Sequence, residues 1–508
     1  MLPTVPSIYG NPPAAPGFEP SPGGRVKGPG HPFAKVSRSA AVGEVAFDVE
    51  PEPTGQAGSP GSAPPSENGL FNSATRDRAQ RALSEAGPVD PNHSLLRDKQ
   101  TQIRRLEQLG IDLDQSPARI MVRDIEAEHG AAVTRVIAGE TGLAGSADLA
   151  LVAPDPRPRA GEAGDHPGPK DSPTARTARD PDAEVRRAAE DAIDSVRRMG
   201  SVIRGIRKER TETGDDRPLL VNMSYGLAIE DLANDIAVEM LQSDPGSKAH
   251  EKVQQVLGEP PRVQQLEDGS EQSDVSQVAR LKREYLYPEF EKVLSEPRMK
   301  RKMKAQKRFT EEQAQAARNE GVLIFQAAGN SHQRASLAGR PDMSRSVTQD
   351  IDGLFTVGAL DASGTEVAHF SSDGQVQASA RGVDVPVGQG GADVNGTSYA
   401  TPLMLENAWA VLGANPELSV SEVERILTDP RVASDVAETD RDGAGGVDLF
   451  AAVLVARDPS VSAAKIAQIR TQLDAEPEGR FSLGRNGRLR PRSEQTLALG
   501  PRVGPVRV

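Results

Sequence analysis

From about residue 95 onward, short apolar runs alternate with longer stretches in which apolar residues recur every three to four positions. The runs ARIMVRD (118–124), ADLALVA (147–153), RPLLVNMSYG (217–226), GVLIFQAAGN (321–330) and GLFTVGAL (353–360) have the length and β-branched content of buried strands. After His129, the residues Val133, Val136 and Ile137 fall at helical spacing. Helical patterns also cover 180–206, ahead of the third run, and 309–321, ahead of the fourth. Strands alternating with helices predict an α/β fold, a mostly parallel sheet with crossover helices. Residues 227–308 are too long for a simple crossover. The patterns in IEDLANDIAVEML and VARLKREYLYPEFEKVL predict a mainly helical insertion there.

The chain ends look different. Residues 1 to about 90 are dominated by Pro, Gly, Ser and Ala and carry almost no periodic apolar pattern. The expected organisation is a linker-like or disordered segment over 1–92, one large domain over 93–460 with its insertion at about 227–308, and a basic flexible tail over 461–508. The 48 Gly, 40 Pro and 36% hydrophobic content of the 508 residues fit one large core with poorly packing ends. A propeptide role for the first segment stays open, although nothing in it resembles a folded inhibitor domain.

Charge and cysteine content remove several classes of function. With 60 Lys+Arg against 73 Asp+Glu, the net charge is −13, which gives no general support for nucleic-acid binding. Two stretches run against this balance: MKRKMKAQKR (299–308) has six basic residues in ten, and Arg480 to Val508 holds seven Arg with one acid. Without interleaved aromatics, the first reads as a solvated helix face and the second as a flexible tail; an anionic partner is the alternative. Zero cysteines exclude disulfides, a thiol nucleophile and Cys-ligated metals without fixing the compartment. The N-terminus has no charged region followed by an apolar one, and no apolar run approaches the ~18 to 20 residues that span a bilayer. A cytoplasmic location without membrane contact is expected, with export by a signal-independent route left open.

Candidate chemistry centres on VNGTSYATPLMLENAWAVL (394–412). Gly-Thr-Ser runs straight into a helix-compatible stretch, so Ser398 falls at a helix N-terminus, where free N–H groups stabilise negative charge. Pro402 is expected in the first turn, where no hydrogen bond is lost. On local physics alone, a plain N-cap serine explains the segment equally well. However, GTSYATP resembles the serine signature of the subtilisin-like serine proteases, Gly-Thr-Ser-x-Ala-x-Pro. The resemblance covers roughly residues 118–455, interrupted by the insertion. VLIFQAAGN is similar to that family's oxyanion strand, which implies an oxyanion-hole role for Asn330. LLVNMSYG is similar to its substrate-binding strand. The resemblance thus implies substrate contacts for Ser224, Tyr225 and Gly226, and for Ala327, Ala328 and Gly329 across the cleft. GLFTVGALDASGTEVAHFSSDG and ASARGVDV resemble the run before the serine, and DGAGGVDLFAAV resembles the closing segment.

A serine hydroxyl needs a base. EHGAAVTRVIAGETGLAG resembles the family's His-Gly-Thr-x-Val helix, which implies His129 as that base, although Ala131 and Ala132 depart from the pattern. His332 and His369 match no catalytic position. The family's Asp-Ser-Gly or Asp-Thr-Gly is absent upstream of His129. Asp124 ends the strand IMVRD and fits the orienting role, but only if the strand the family places between the two residues is missing. Asp48, Asp112 and Asp114 are alternatives, and a site without such an acid is another.

The resemblance implies a serine endopeptidase acting on peptide or protein substrates through an acyl-enzyme, with no cofactor required. The rival reading is a catalytically impaired scaffold that binds a peptide or protein. Family members often hold structural Ca²⁺; Asp440 and Asp442 in ETDRDG read as a plain turn, and no metal ligand is assigned. Oligomeric state is not legible.

Overall fold

The structure is a computed structural model that describes residues 70–475, 481–483 and 489–491, apart from 112, 114–115, 125, 141, 154–179, 225–227, 266–270, 332–346, 349, 373, 389–392 and 435–442. Two helices come first, α1 (Ser73–Ser84) and α2 (Ser94–Gln108). They lead into a unit of strand β1 (Arg119–Arg123), helix α3 (Ala127–Ala138) and strand β2 (Asp148–Val152). Helix α4 (Pro181–Thr213) precedes strand β3 (Leu219–Met223). The insertion consists of α5 (Ile229–Leu241), α6 (Lys248–Leu257), the hairpin β4 (Val263–Gln265) and β5 (Glu271–Ser273), α7 (Val275–Leu281) and α8 (Tyr287–Ser295). Helix α9 (Pro297–Asn319) returns the chain to β6 (Val322–Ala327), followed by β7 (Leu354–Leu360) and β8 (Ala378–Arg381). Then come α10 (Thr397–Ala414), α11 (Val420–Leu427), β9 (Ala433–Ser434), β10 (Gly446–Val447), α12 (Leu449–Arg457) and α13 (Ala463–Ala475).

The main sheet runs β2-β1-β3-β6-β7-β8-β10-β9. Its pairs are parallel except the edge pair β10 and β9. All five strands read from the sequence are present, within two residues at their starts and three at their ends. Their apolar runs are continuous because the sheet is covered on both faces. Ile120, Val122, Leu220, Leu323 and Phe325 face one layer with α3, α10 and α12. The alternate residues Met121, Leu219, Val221, Val322 and Ile324 face the other, with α4 and α9. The result is a three-layer α/β fold of the subtilisin-like kind.

β1 and β2 are consecutive in sequence and adjacent in the sheet, joined only by α3. Among the described residues no strand intervenes. The end of β1 and the start of α3 therefore lie together at the carboxyl edge of the sheet, where open α/β sheets build their sites.

The helix read over 180–206 runs on to Thr213 and stops at Gly214, which takes the left-handed conformation (φ 64°) of a C-cap glycine. The helix read from 309 begins at Pro297, so the basic run forms its first half. Within that run Met299 is buried, Lys302 pairs with Asp194 at 2.9 Å and Arg308 with Glu312 at 2.9 Å. Two helices lie in stretches the sequence reading placed outside the domain. In α1 the buried face rests on Ala79 and Ala82, small residues that leave a weak apolar period. In α13, Ile466, Ile469 and Leu473 at helical spacing enter the core, a pattern hidden beside the Arg-rich composition that follows. Beyond it the described residues form only a two-stranded hairpin, β11 (Phe481–Leu483) with β12 (Leu489–Pro491).

The insertion has a core of its own, built from Ile236, Met240, Leu281, Tyr287 and Phe290 against the first turns of α4. Among the described residues no helix is long and apolar enough to cross a membrane.

Candidate active site

β1 stops at Arg123, and Asp124 follows with 1% of its surface exposed. Its N–H donates to the Val152 carbonyl at 3.0 Å, which extends the β1–β2 ladder by one residue and fixes the backbone from which the carboxylate projects. Oδ1 accepts the Glu126 N–H at 3.0 Å, and Oδ2 lies 2.7 Å from His129 Nδ1. A carboxylate can only accept, so this contact is made by the tautomer with its proton on Nδ1, which leaves Nε2 as the basic nitrogen. Gly130 makes room for this pair: a Cβ there would meet Asp124 Cβ at 2.9 Å and Leu151 Cδ1 at 3.0 Å.

Ser398 is the second residue of α10. Its neighbour Tyr399 places its ring 5.6 Å from that of His129 at 58°, so the first turns of α10 and α3 abut. Burial, followed by the charges of Asp124 and Glu126, pushes the Tyr399 phenol up. The expected place of Pro402 needs correction. The helix begins at Thr397, so Pro402 is its sixth residue, beyond the first turn. The N–H that a proline lacks is the one that would have bonded the Ser398 carbonyl, four residues earlier. Ser224 Oγ supplies the replacement, donating to the Ser398 carbonyl at 2.8 Å while it accepts the Asn222 amide at 2.7 Å.

Asn330 follows β6 across the sheet. Its Oδ1 accepts both the Thr397 N–H at 2.8 Å and the Thr397 hydroxyl at 2.9 Å. With the carbonyl end committed, Nδ2 is the end that faces Gly396, where a Cβ would lie 3.4 Å from it. Gly396, at φ 156°, has the open side that such a close approach needs. Thr397 Oγ1 also accepts the Gly329 N–H at 3.1 Å.

The model of the subtilase family matches residues 88–447. The chain belongs to that family. No curated protein matches the sequence. Among solved structures, a protease of Pseudoalteromonas arctica PAMC 21717 is similar at 24% identity over 29% of this chain, with a TM-score of 0.23. That alignment spans 47% of the other protease, under half its length. The MycP3 protease from the type VII (ESX-3) secretion system is 18% identical over 72% of this chain and 88% of its own, at a TM-score of 0.35. A mutant of the protease domain of PatA is 15% identical over 74% and 94%, also at 0.35.

In this subtilase the sequence-derived residues fall as follows. Asp124 and His129 are hydrogen-bonded; Ser398 and Asn330 meet through Thr397. Ser224 is buried beneath Ser398. Ala327 and Ala328 are buried too, the latter donating its N–H to the Val357 carbonyl at 3.0 Å, and Gly329 turns the chain at φ 110°. Tyr225, Gly226, His332, Asp48, Asp112, Asp114, Asp440 and Asp442 lie outside the described residues. His369 packs edge-on against Phe370. Among the described residues no cluster of three or more His, Asp or Glu could hold a metal ion.

Sequence reasoning missed Thr397, Gly130 and Tyr399. The first two were visible as the Thr of Gly-Thr-Ser and the Gly of His-Gly. Their reasons were not: Thr397 answers to Asn330, 67 residues away, and Gly130 to the packing of α3 against Asp124 and Leu151. It also missed Glu406, eight residues down α10 from Ser398, which is buried and paired with Lys99 of α2 at 2.5 Å. Burial pushes this carboxyl up to about 7 against the downward pull of Lys99.

Proposed function

We propose that this subtilase is a serine endopeptidase that cleaves peptide bonds through an acyl-enzyme. The observation that carries the reading is the 2.7 Å contact of Asp124 Oδ2 with His129 Nδ1, beside the residue that follows Ser398. In this mechanism His129 Nε2 takes the Ser398 hydroxyl proton as Oγ attacks the scissile carbonyl. Asp124 holds the ring and stabilises the imidazolium. The oxyanion is met by Asn330 Nδ2 and by the Ser398 N–H, one of the helix N–H groups that have no acceptor within the helix. His129 then gives its proton to the leaving amine, and water activated at the same Nε2 hydrolyses the acyl-enzyme. The reaction uses no cofactor. Ser224 acts mainly from below, by holding Ser398, while Gly329 borders the substrate backbone.

Labelling with a fluorophosphonate probe tests this. The folded protein should react once, and Ser398→Ala should abolish the reaction. A correctly folded wild type that stays unlabelled, yet binds peptides, would instead establish the binding scaffold.

A further inference from the structure

A side-chain hydrogen bond joins the helical insertion to the candidate oxyanion loop. Ser331 directly follows Asn330 and is 1% exposed. Its hydroxyl donates to Oδ1 of Asp231, in the first turn of α5, at 3.0 Å. Oδ2 of the same carboxylate accepts the Ala228 N–H at 3.3 Å, which ties it to the start of its own helix. The preceding residue, Glu230, is fully buried. It takes the Lys282 ammonium at 2.6 Å and the Tyr287 hydroxyl, both at the heart of the insertion. Two consecutive carboxylates therefore link the insertion core to the residue after Asn330.

The described hydrogen bonds of the loop run to Thr397, including the Gly329 N–H to Thr397 Oγ1 at 3.1 Å, and to Ser372. The Ser331 N–H donates to Ser372 Oγ at 3.3 Å, a long bond, and the Ser372 N–H donates to the Gly329 carbonyl at 2.9 Å. Asn330 reaches Thr397 through its carbonyl end alone. An amide that must donate to a developing oxyanion needs its backbone fixed to a fraction of an ångström. The Ser331–Asp231 bond is suited to this by its place rather than its strength: at 3.0 Å it is an ordinary O–H···O contact, and it joins the residue after Asn330 to the first turn of α5.

We propose that Asp231 is a positioning residue: through Ser331 it couples the packing of the insertion to the placement of the Asn330 amide. The idea rests on the serine-peptidase reading for its catalytic consequence, although the mechanical coupling stands without it. Asp231→Ala and Ser331→Ala each remove the bond, the second without changing charge or the α5 cap. Asp231→Asn keeps an acceptor oxygen and serves as the conservative variant.

Two measurements decide the matter in the full chain. Amide hydrogen exchange over 327–331 should speed up several-fold in both alanine variants and return toward wild type in Asp231→Asn. With a peptide substrate, kcat should fall about tenfold in the alanine variants with KM within about twofold, and the double variant should be no worse than either single one. Unchanged exchange over 327–331 in Ser331→Ala overturns the coupling whether or not the protein has peptidase activity. Faster exchange with unchanged kcat overturns the positioning role. Faster exchange in a protein whose wild type neither labels nor cleaves leaves the coupling standing and removes the peptidase reading instead.

Discussion

Asp124 and His129 are five residues apart in sequence and 2.7 Å apart between Oδ2 and Nδ1. That proximity follows from topology: with β2 reached directly from β1 through α3, the strand end and helix start share one sheet edge. Replacing the carboxylate by an amide, Asp124→Asn, presents His129 with a donor and favours the tautomer whose proton sits on Nε2, the nitrogen that has to act as base. Turnover is expected to fall on the order of 10⁴-fold, as the same exchange does in the chymotrypsin-type triad, with the fold retained. Steady-state kinetics with a circular-dichroism melt checks both halves. Full activity in this variant rules out Asp124 as the orienting acid.

Gly130→Ala probes the same pair by volume. The added methyl would sit 2.9 Å from Asp124 Cβ and 3.0 Å from Leu151 Cδ1, so either the carboxylate or the β2 side chain has to shift. Overpacking of this kind costs about 1–3 kcal/mol. The expected result is a lower urea midpoint together with a kcat loss larger than stability alone explains. A variant as stable and active as wild type would show that the pocket around Asp124 has slack.

The parallel sheet was legible because strands buried on both faces, such as VLIFQA in β6, leave continuous apolar runs. The β1–α3–β2 unit was legible for the same reason, and it turned an apparently short Asp-to-His spacing into a workable one. α1 was hidden because its core face is alanine; the basic first half of α9 was read as a solvated helix face, and the structure joins it to the helix read from 309. Ser398, His129 and Asn330 could be read from local motifs. The Ser224 contact could not, since it joins positions 174 residues apart and answers a hydrogen bond lost at Pro402.

Ser224→Ala measures that answer. The change leaves the Ser398 carbonyl, in the first turn of α10, without the donor that replaces the missing Pro402 N–H. An unsatisfied buried acceptor costs about 1–3 kcal/mol. Because the bond holds the backbone of the proposed nucleophile, kcat should drop more than KM rises, and fluorophosphonate labelling should slow in parallel. If stability falls while labelling keeps its wild-type rate, Ser224 supports the helix without positioning Ser398.

Glu406 gives the protein a specific pH response. Its carboxyl ordinarily titrates near 4.5, and burial on α10 raises that to about 7 although Lys99 opposes the shift. The folded state therefore keeps this proton to higher pH than the unfolded chain does, and unfolding releases it between those two values. Stability contributed by this group is fully present below about 4.5 and is lost as pH rises through about 7. In Glu406→Gln there is no proton to release, so the fall in stability between pH 5 and 7 should flatten by up to about 1.4 kcal/mol per pH unit. Lys99 loses in this variant the carboxylate it faces above about pH 7, so the difference in slope is the informative quantity rather than the absolute midpoint. Urea denaturation at closely spaced pH values provides it. Identical slopes in wild type and variant would mean that Glu406 stays ionised beside Lys99 throughout this range.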